Sequence, residues 1–334
     1  MPITILAIES SCDETSAAVI SNKKMLSNII ATQTVHEKYG GVIPELASRA
    51  HQQNIVPVVQ QAIDEAKIKK ENISAVAFTQ GPGLIGSLLV GSSFAKSFAQ
   101  ALNIPIIGIN HMQAHVLAHF IGDNNPSFPF LCLTVSGGHT QIVLVKSFSE
   151  MKIVGETMDD AAGEAFDKAS KILGLPYPGG PMLDILARDG NANAFQFPEP
   201  KVEGLNFSFS GLKTSFLYFI RDEKKKNEHF IQDRMNDICA SIEQRIVSIL
   251  INKISTAAKQ FSINDIAIAG GVSANSCLRN ELKKSGEKNG WKIFIPAMEY
   301  CTDNAAMIAM AAHFRYINKD FDTMEIVPSA RLHF

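Results

Sequence analysis

The chain is 334 residues long, which exceeds what one hydrophobic core normally supports, so we expect two lobes. With 46% hydrophobic and 19% charged residues it has the composition of a folded globular protein, which excludes an intrinsically disordered chain. Its formal net charge of -2 excludes a general basic field. A nucleic acid would therefore have to bind a partner protein or a local basic stretch, such as residues 221–226 or 283–292.

The cysteines indicate a reducing compartment. They are odd in number and widely spaced without a CxxC pair, which argues against a disulfide framework and against a thiolate metal cluster. The first fifteen residues lack a basic segment and their apolar run ends at Glu9, so we predict neither a signal peptide nor an anchor. No stretch reaches the roughly 18 apolar residues of a membrane span, and we predict a cytoplasmic protein. The cysteines are Cys12, Cys132, Cys239, Cys277 and Cys301.

Two predicted β-hairpins resemble each other. Residues 4–20 and residues 130–145 are each predicted to form a strand, a short polar turn and a second strand. Tips of this kind expose backbone N–H groups and hydroxyls, which bind phosphate oxygens. The recurrence predicts two related lobes with a cleft between their phosphate-facing loops. The tip residues are Ser10, Ser11, Thr15 and Ser16 in the first hairpin and Ser136, Gly137, Gly138 and Thr140 in the second.

A glycine-rich segment follows the predicted helix 45–67 and the predicted buried strand 74–80. It matches GxGxxG, yet a dinucleotide-binding fold also needs an acidic residue about 20 positions later, and residues 72–122 contain no Asp or Glu. We therefore expect the glycines to allow a tight turn and close packing of the helix 86–102. The absence of a Walker A motif excludes a P-loop NTPase. The glycines of the match are Gly81, Gly83 and Gly86.

The pentapeptide HMQAH predicts a metal site. His111 and His115 are four residues apart, so on a helix they lie on one face within reach of a single ion. The alternative is a hydrogen-bonded histidine surface, since His119 continues the spacing. The glutamate of the HExxH motif of zinc peptidases is missing, and a metal site needs a third ligand. The candidates, among which spacing does not choose, are Asp303, His139, Asp160 and Asp167.

Four further polar clusters lie in the second half of the chain. Residues 155–175 are predicted to form a helix entered from a loop, and residues 177–190 a glycine turn followed by a helix. Residues 265–284 predict a strand, a Gly-Gly turn and a helix, where a flat ligand can lie against bare backbone. At the start of the apolar helix predicted in 295–314, Asp303 is either an N-cap or a metal ligand. The polar and turn residues of these clusters are Asp159, Asp160, Glu164, Asp167, Lys168, Gly179, Gly180, Pro181, Asp184, Gly270, Gly271, Asn275, Asp303 and Asn304.

Together the motifs resemble, in order and spacing, the bacterial TsaD family of tRNA threonylcarbamoyladenosine transferases. They are IESSCDET, GGVIPELASRAH, GPGLIGSLLVG, HMQAH, VSGGHTQ, DDAAGEAFDKASKILGL, YPGGP, FSFSGLKT, AGGVSAN and CTDNAAMIA, and they extend from residue 3 to residue 315. The resemblance implies an α/β protein with the two-lobed fold of actin, sugar kinases and Hsp70, with duplicated lobes and a central nucleotide cleft. We expect the first lobe at residues 1–110 plus about 305–330 and the second at residues 111–304.

The resemblance also implies a site. In such proteins two histidines and the aspartate of CTDN, here His111, His115 and Asp303, hold one divalent metal ion, iron or zinc. The cleft binds the adenylate substrate and could also take ATP or ADP. Ser10 stands where many relatives have threonine, and His119 falls outside the family pattern. The residues implied in substrate binding are Thr134, Val135, Ser136, Gly137, Gly138, Asp167, Gly180, Asp184 and Asn275.

The implied reaction transfers the threonylcarbamoyl group of threonylcarbamoyl-adenylate to N6 of adenosine 37 in tRNAs that read ANN codons, releasing AMP. The implied partners are tRNA, a TsaB-like paralogue and a TsaE-like ATPase, and the helix 86–102 could supply a partner surface. Because the attacking amine must lose a proton, we predict Asp13 or Glu14 as the acid–base catalyst. The alternatives are an actin-like or sugar-kinase-like ATPase and, less favoured, a metallopeptidase.

Overall fold

A computed structural model describes residues 2–334 and divides the chain into two compact units. The first unit comprises Met1–Asn125 and Pro296–Phe334, and the second comprises Pro126–Ile295. The chain therefore passes from one unit to the other at residues 125/126 and 295/296, whereas the lobe limits expected from sequence lay at 110/111 and 304/305. With these limits the residues of HMQAH and CTDN belong to the same unit.

Both units contain strands and helices. The strands are β1 (Thr4–Glu9), β2 (Glu14–Ser21), β3 (Lys24–Thr32), β4 (Ala75–Gly81), β5 (Ile106–Asn110), β6 (Phe130–Val135), β7 (Thr140–Val145), β8 (Met151–Glu156), β9 (Asp265–Ala269) and β10 (Lys292–Phe294). The helices are α1 (Pro44–Glu65), α2 (Ile85–Leu102), α3 (His111–Leu117), α4 (Ala162–Ile172), α5 (Gly179–Ala187), α6 (Ser210–Lys226), α7 (Phe230–Phe261), α8 (Ser276–Asn289) and α9 (Ala305–Ile317). Within the described residues, no helix combines the length and the apolar character that crossing a bilayer requires.

Each unit contains one sheet, and the two sheets have the same topology. Within residues 2–334, the first has the strand order β3-β2-β1-β4-β5 and the second the order β8-β7-β6-β9-β10. In both, three antiparallel strands form a meander. A fourth strand pairs in parallel with the first strand of the meander, and a fifth pairs in parallel with the fourth. Both predicted hairpins are confirmed as β1–β2 and β6–β7, and their recurrence reflects this repeated strand order.

The first strand of each meander lies at the centre of its sheet and is covered on both faces. All residues of β1 and of β6 are buried, which explains their nearly continuous apolar sequences TILAIE and FLCLTV. In the first unit α1 and α2 pack on the sheet around Leu6 and Phe78. In the second unit the core extends from β6 through α4 and α5 to α7. The sheets thus hold the turns that follow β1 and β6 in fixed positions.

Several features of the second unit were not predicted correctly. The stretch 155–175 begins with the end of β8, and its helix starts only at Ala162, so Asp159 and Asp160 precede the helix instead of lying on it. Asp159 accepts hydrogen bonds from Phe209 N at 2.8 Å and from the hydroxyls of Ser208 and Ser210, and it thereby fixes the start of α6. The long helix α7 was not predicted at all.

The C-terminal segment, which carries no recognisable motif, is fastened along the edge of the first sheet. Asp322 Oδ2 accepts from Gly108 N at 2.8 Å, and Ser329 N donates to Gln80 O at 2.8 Å. Arg315 donates to Gly108 O at 2.5 Å and pairs with Asp320 and Asp322. The guanidinium of Arg315 has partners in β5 and in the segment that follows α9. It therefore joins two parts of the first unit that are far apart in the sequence.

We predict that Arg315→Ala lowers the free energy of unfolding by about 1–3 kcal/mol, because it removes charge-assisted hydrogen bonds from a partly buried carbonyl and two carboxylates. Urea denaturation followed by circular dichroism measures the change. The control is Arg221→Ala, where an exposed arginine pairs with its neighbour Asp222. Equal midpoints for the two variants would show that the Arg315 contacts do not fasten the C-terminal segment.

Candidate metal centre and substrate-binding loops

The helix α3 presents the two histidines of HMQAH. It begins directly after β5, where the side chain of Asn110 accepts hydrogen bonds from Met112 N at 2.9 Å and Gln113 N at 3.1 Å. His111 is the first residue of the helix and His115 follows one turn later, and both are buried. Their ring centroids are 4.7 Å apart with the ring planes nearly perpendicular. The predicted one-face arrangement of the two imidazoles is confirmed.

Asp303 is the carboxylate that converges with this pair. The N-cap of α9 is Asn304, whose side chain accepts from Met307 N at 3.0 Å, so the capping role considered for Asp303 is wrong. Asp303 Oδ1 instead lies 3.1 Å from His115 Nε2 and 3.4 Å from His111 Nε2. One ligand atom from each of the three residues lies within 4.8 Å of the other two. The group could hold a divalent metal ion.

The other candidate third ligands have different partners. Asp160 forms an ion pair with Lys168 at 2.7 Å, and Asp167 accepts from Gly179 N and Gly180 N at 3.0 and 3.2 Å. His139 follows the second hairpin turn, where its backbone N–H donates to Ser136 Oγ at 3.1 Å. All three belong to the second unit. Asp303 is thus the candidate that the fold of the first unit brings to the histidines.

Glu9 is the buried carboxylate that orients His111. It ends β1 and is completely buried, and its Oε2 accepts from His111 Nδ1 at 3.1 Å and from Thr79 Oγ1 at 2.6 Å. Its Oε1 accepts from Ser11 N at 2.5 Å. Because an ionised carboxylate cannot donate, Nδ1 of His111 carries a proton and Nε2 faces Asp303. Partners of this kind fix the tautomer of metal-binding histidines.

The charges of His111, Asp303 and Glu9 favour a bound cation. Burial would lower the pKa of His111, but Asp303 and Glu9 outweigh it and raise that pKa well above its ordinary value. Burial would raise the pKa of Asp303, yet His111 and His115 hold it below its usual range. The pKa of Glu9, which burial would raise, is lowered by His111. A divalent ion could replace the imidazolium proton as the balancing charge.

The donor atoms also fit a metal. Two imidazole nitrogens and one carboxylate oxygen form the set that divalent transition metals accept, with positions left for water or substrate. Nδ1 of His115 is buried and has no hydrogen-bond partner in the part of the chain that the structure describes. Glu9 was not predicted to be part of the site. The sequence does indicate it, because it is the one charged residue in the buried strand TILAIE.

The predicted catalytic residues follow β1 in the same unit. Asp13 lies in the turn and Glu14 is the first residue of β2, and both are partly buried. Burial, followed by the charges of Asp303 and Asp13, raises the pKa of Glu14 to about 9. The raised pKa favours the protonated form of Glu14, which is hydrogen-bonded to Asp13. The assignment of either residue as the acid–base catalyst stays a prediction.

Two other motifs fasten this turn. His51 of α1 is completely buried and lies between Thr15 Oγ1, at 2.7 Å from Nδ1, and Cys12 O, at 3.0 Å from Nε2. Leu84 N donates to Ser11 O at 2.7 Å, and a Cβ at Gly83 would collide with the Ser11 backbone. The structure thus confirms the packing role expected for the glycine-rich segment, and it adds His51, whose role the sequence analysis did not identify.

The second hairpin ends in an open loop. Thr134 and Val135 are buried in β6, whereas Gly137 and Gly138 are exposed. Ser136 closes the turn, since its N donates to His139 O at 2.8 Å. The loop also contacts the start of α4, where Gly163 N donates to Ser136 O at 3.2 Å. Within the predicted binding segment, the exposed backbone that could meet a ligand is therefore that of Gly137 and Gly138.

The remaining predicted binding residues lie on α4 and α5 and at the start of α8 in the second unit. Asp167 joins α4 to the start of α5 through its bonds to Gly179 and Gly180. Asp184 accepts from Ser276 N at 2.9 Å and from Ser276 Oγ at 2.6 Å, beside Asn275, the N-cap of α8. The predicted position of Asn275 at the helix start is confirmed. These polar groups are therefore held by one another, and their roles in binding stay predictions.

The comparisons with known proteins decide the family. The sequence matches the family model described as TsaD, tRNA N6-adenosine threonylcarbamoyltransferase, over residues 24–310. The chain belongs to the TsaD family. The relative with this description from Christiangramia forsetii is 60% identical over 335 residues, which cover 99% of this chain and 98% of the relative. The relative from Thermosipho africanus is 48% identical over 334 residues, which cover 98% of this chain and 99% of the relative. The family and the transferase class expected from the motifs are confirmed.

Solved structures confirm the fold expected of a TsaD chain. Full-length HypF in its phosphate- and nucleotide-bound form matches with a TM-score of 0.64 and 13% identity, covering 96% of this chain and 47% of HypF. Component A of (R)-2-hydroxyglutaryl-CoA dehydratase from Acidaminococcus fermentans matches with a TM-score of 0.54 and 16% identity, covering 93% and 97%. At these identities the similarity concerns the α/β fold of the actin-like type and not the activity.

We predict that each of the variants His111→Ala, His115→Ala and Asp303→Ala retains no metal after dialysis, because two ligands do not hold a divalent ion against exchange. Glu9→Gln is expected to retain the fold and to bind metal about 10–100-fold more weakly, since the partner of His111 loses its charge. Elemental analysis and metal titration measure both effects. The control His229→Ala changes an exposed histidine and should bind metal like wild type. If all three ligand variants retained metal, the assignment of the ligands would be wrong.

We predict that Gly163→Ala disrupts the Ser136–Gly138 loop, because its Cβ would collide with the backbone of Ser136 and Gly137. The affinity for AMP should fall by about tenfold or more, which corresponds to roughly 1.4 kcal/mol. The matched control is Gly211→Ala in α6, where a Cβ meets no atom within 4 Å. Isothermal titration with AMP compares them, and equal affinities would separate the loop from nucleotide binding.

Proposed function

We propose that this chain transfers the threonylcarbamoyl group of threonylcarbamoyl-adenylate to N6 of adenosine 37 in tRNAs that read ANN codons and releases AMP. The observation that carries the proposal is the convergence of His111, His115 and Asp303 in a chain of the TsaD family. TsaD relatives covering nearly the whole chain bear the name of this transferase. We place the reaction in the cytoplasm, where tRNA is modified.

The chemistry explains why such a site is needed. The N6 amine of adenine is a weak nucleophile because its lone pair is delocalised into the ring, so it must be held in line with the carbamoyl carbon. The new N–C bond forms as the C–O bond to the phosphate breaks, and AMP leaves as an anion. A divalent metal, iron or zinc, held by His111, His115 and Asp303 would supply Lewis-acid stabilisation of a phosphate or carbamoyl oxygen.

Residues of this chain orient the metal ligands, accept the proton and bind the nucleotide. Glu9 holds His111 in the orientation that metal binding requires. Asp13, in the turn that follows β1, accepts the proton that the attacking amine loses. In the second unit the backbone N–H groups of Gly137 and Gly138 bind the phosphate of the adenylate and of the departing AMP. Asp167, Gly180, Asp184 and Asn275 bind the rest of the nucleotide, and ATP or ADP could occupy the same residues.

The charge of the chain is the reason for proposing partner proteins. A tRNA is a large polyanion, yet the net charge is -2 and most cations of 221–226 are paired with Asp222 and Glu223. We therefore propose that a TsaB-like paralogue and a TsaE-like ATPase complete the active assembly. In α2 the buried face carries small residues, whereas Ile85 and Leu89 are each 49% exposed. This exposed apolar pair is where we propose a partner helix packs.

The test supplies threonylcarbamoyl-adenylate and unmodified tRNA, with and without the two partners, and detects the modified nucleoside by mass spectrometry. We expect modified adenosine with wild type and a loss of roughly 10²-fold or more in rate for Asp13→Asn, because the amine loses its proton acceptor. The control Asp123→Asn changes an exposed carboxylate of the same unit. ATP hydrolysis without any modified nucleoside would favour the actin-like ATPase, and metal-dependent peptide cleavage would favour a peptidase.

A further inference from the structure

A buried acid lies among the proposed nucleotide-binding residues and belongs to no recognised motif. Glu243, in the middle of α7, is only 5% exposed. A glutamate at such a position is rare unless it is paired or neutral, because removing its charge from water is costly. Its surroundings therefore determine what it can do.

Glu243 connects two of those residues. Its Oε1 accepts a hydrogen bond from Asn275 Nδ2 at 2.6 Å, and its carboxyl group is also hydrogen-bonded to Asp184. The helices α5, α7 and α8 thus meet at this one carboxyl group. The other charged or titratable groups that act on it are Arg188 of α5, Cys277 of α8 and Cys239 of its own helix.

Two carboxyl groups in contact require a proton between them, and the neighbours decide which one holds it. Asp184 accepts from Ser276 N, from Ser276 Oγ and from Arg188 at 2.8 Å, and these bonds outweigh burial and lower its pKa. Burial raises the pKa of Glu243 to about 8, with Asn275 opposing and Asp184 adding to the shift. At neutral pH the proton therefore resides on Glu243, which donates to Asp184 and accepts from Asn275.

We propose that Glu243 is a positioning residue that holds the Asp184 carboxylate and the Asn275 amide in place for the nucleotide. The inference rests on the proposed function, in which Asp184 and Asn275 bind the adenylate. The oxygen of the Asn275 side chain already caps α8 by accepting from Leu278 N at 2.8 Å. With one amide hydrogen directed to Glu243, the orientation of the amide is fixed, and its second hydrogen remains for a ligand.

Substitution distinguishes this role from simple packing. In Glu243→Gln the carbonyl oxygen can accept from Asn275 and the NH₂ group can donate to Asp184, so glutamine reproduces the neutral acid. In Glu243→Leu both bonds are lost while the volume is retained. We expect the affinity for AMP at pH 7 to stay within about twofold of wild type for Glu243→Gln and to fall by about tenfold or more for Glu243→Leu. The control Glu287→Gln changes an exposed glutamate of α8.

The pH dependence supplies a second readout. Above pH 8 Glu243 loses its proton and two adjacent carboxylates repel each other, so the arrangement that binds the nucleotide becomes a minor state. At pH 9 about one molecule in ten keeps the proton, and the affinity of wild type for AMP should fall by roughly tenfold relative to pH 7. The phosphate of AMP completes its ionisation near pH 6, below this window. Glu243→Gln should bind equally at both pH values.

Titration calorimetry with AMP, at pH 7 and pH 9, tests the proposal on the full chain, with thermal melting to confirm folding. Weak binding by Glu243→Gln at pH 7, or the same fall between the two pH values in this variant as in wild type, would overturn it. If Glu243→Leu does not fold, the comparison of wild type with Glu243→Gln decides alone. Failure of wild type to bind AMP at all would overturn the proposed nucleotide site as well, and the tRNA assay then shows whether the transferase function fails too.

Discussion

A carboxylate lies at the end of the central strand of the first sheet, completely buried and in contact with an imidazole. The pair of Glu9 and His111 is costly to bury unless positive charge stays beside it, and Asp303 adds a second negative charge on the opposite side of the same ring. Neighbouring residues hold these charged groups in position. Asn110 fixes the start of α3, Asn304 fixes the start of α9, and Thr79 and Ser11 satisfy the remaining oxygen positions of Glu9.

The repeated strand order explains how residues so far apart in sequence reach this point. His111 follows β5, the last strand of the first sheet, and Asp303 follows β10, the last strand of the second. The helix after β10 does not stay with its own sheet but packs against β1 and β2 in the first unit. The metal ligands thus lie on α3, which follows the first sheet, and just before α9, which follows the second.

Local patterns in the sequence were sufficient for much of this structure. The hairpins, the helix α2, the face shared by His111 and His115, and the helix-start position of Asn275 all depend on short-range periodicity, spacing or turn residues. The partner of the histidines did not follow from such patterns, because Asp303 is 188 residues away from His115 and competed with three other candidates of the same chemistry. The family resemblance chose among them, whereas physical reasoning on spacing did not.

Other features depend on tertiary contacts that leave little trace in sequence. Glu243 lies in a long helix without a motif, and only the packing of α5 and α8 against that helix turns it into a neutral acid. The segment after α9 is fastened by Arg315 and Asp322 to a strand that precedes it by more than two hundred residues. Asp303 and Asn304 are adjacent and could both cap a helix, and only the backbone geometry assigns that role to Asn304.

His111, His115 and Asp303 are proposed to hold a metal ion that Glu9 helps to orient. Crystals of the protein grown with iron or zinc, and measured at the absorption edge of the metal, would locate such an ion. We expect one strong anomalous peak in the first unit, about 2.0–2.2 Å from an imidazole nitrogen of each histidine and from a carboxylate oxygen of Asp303. A peak bound by other residues, or none at these three in metal-loaded protein, would contradict it.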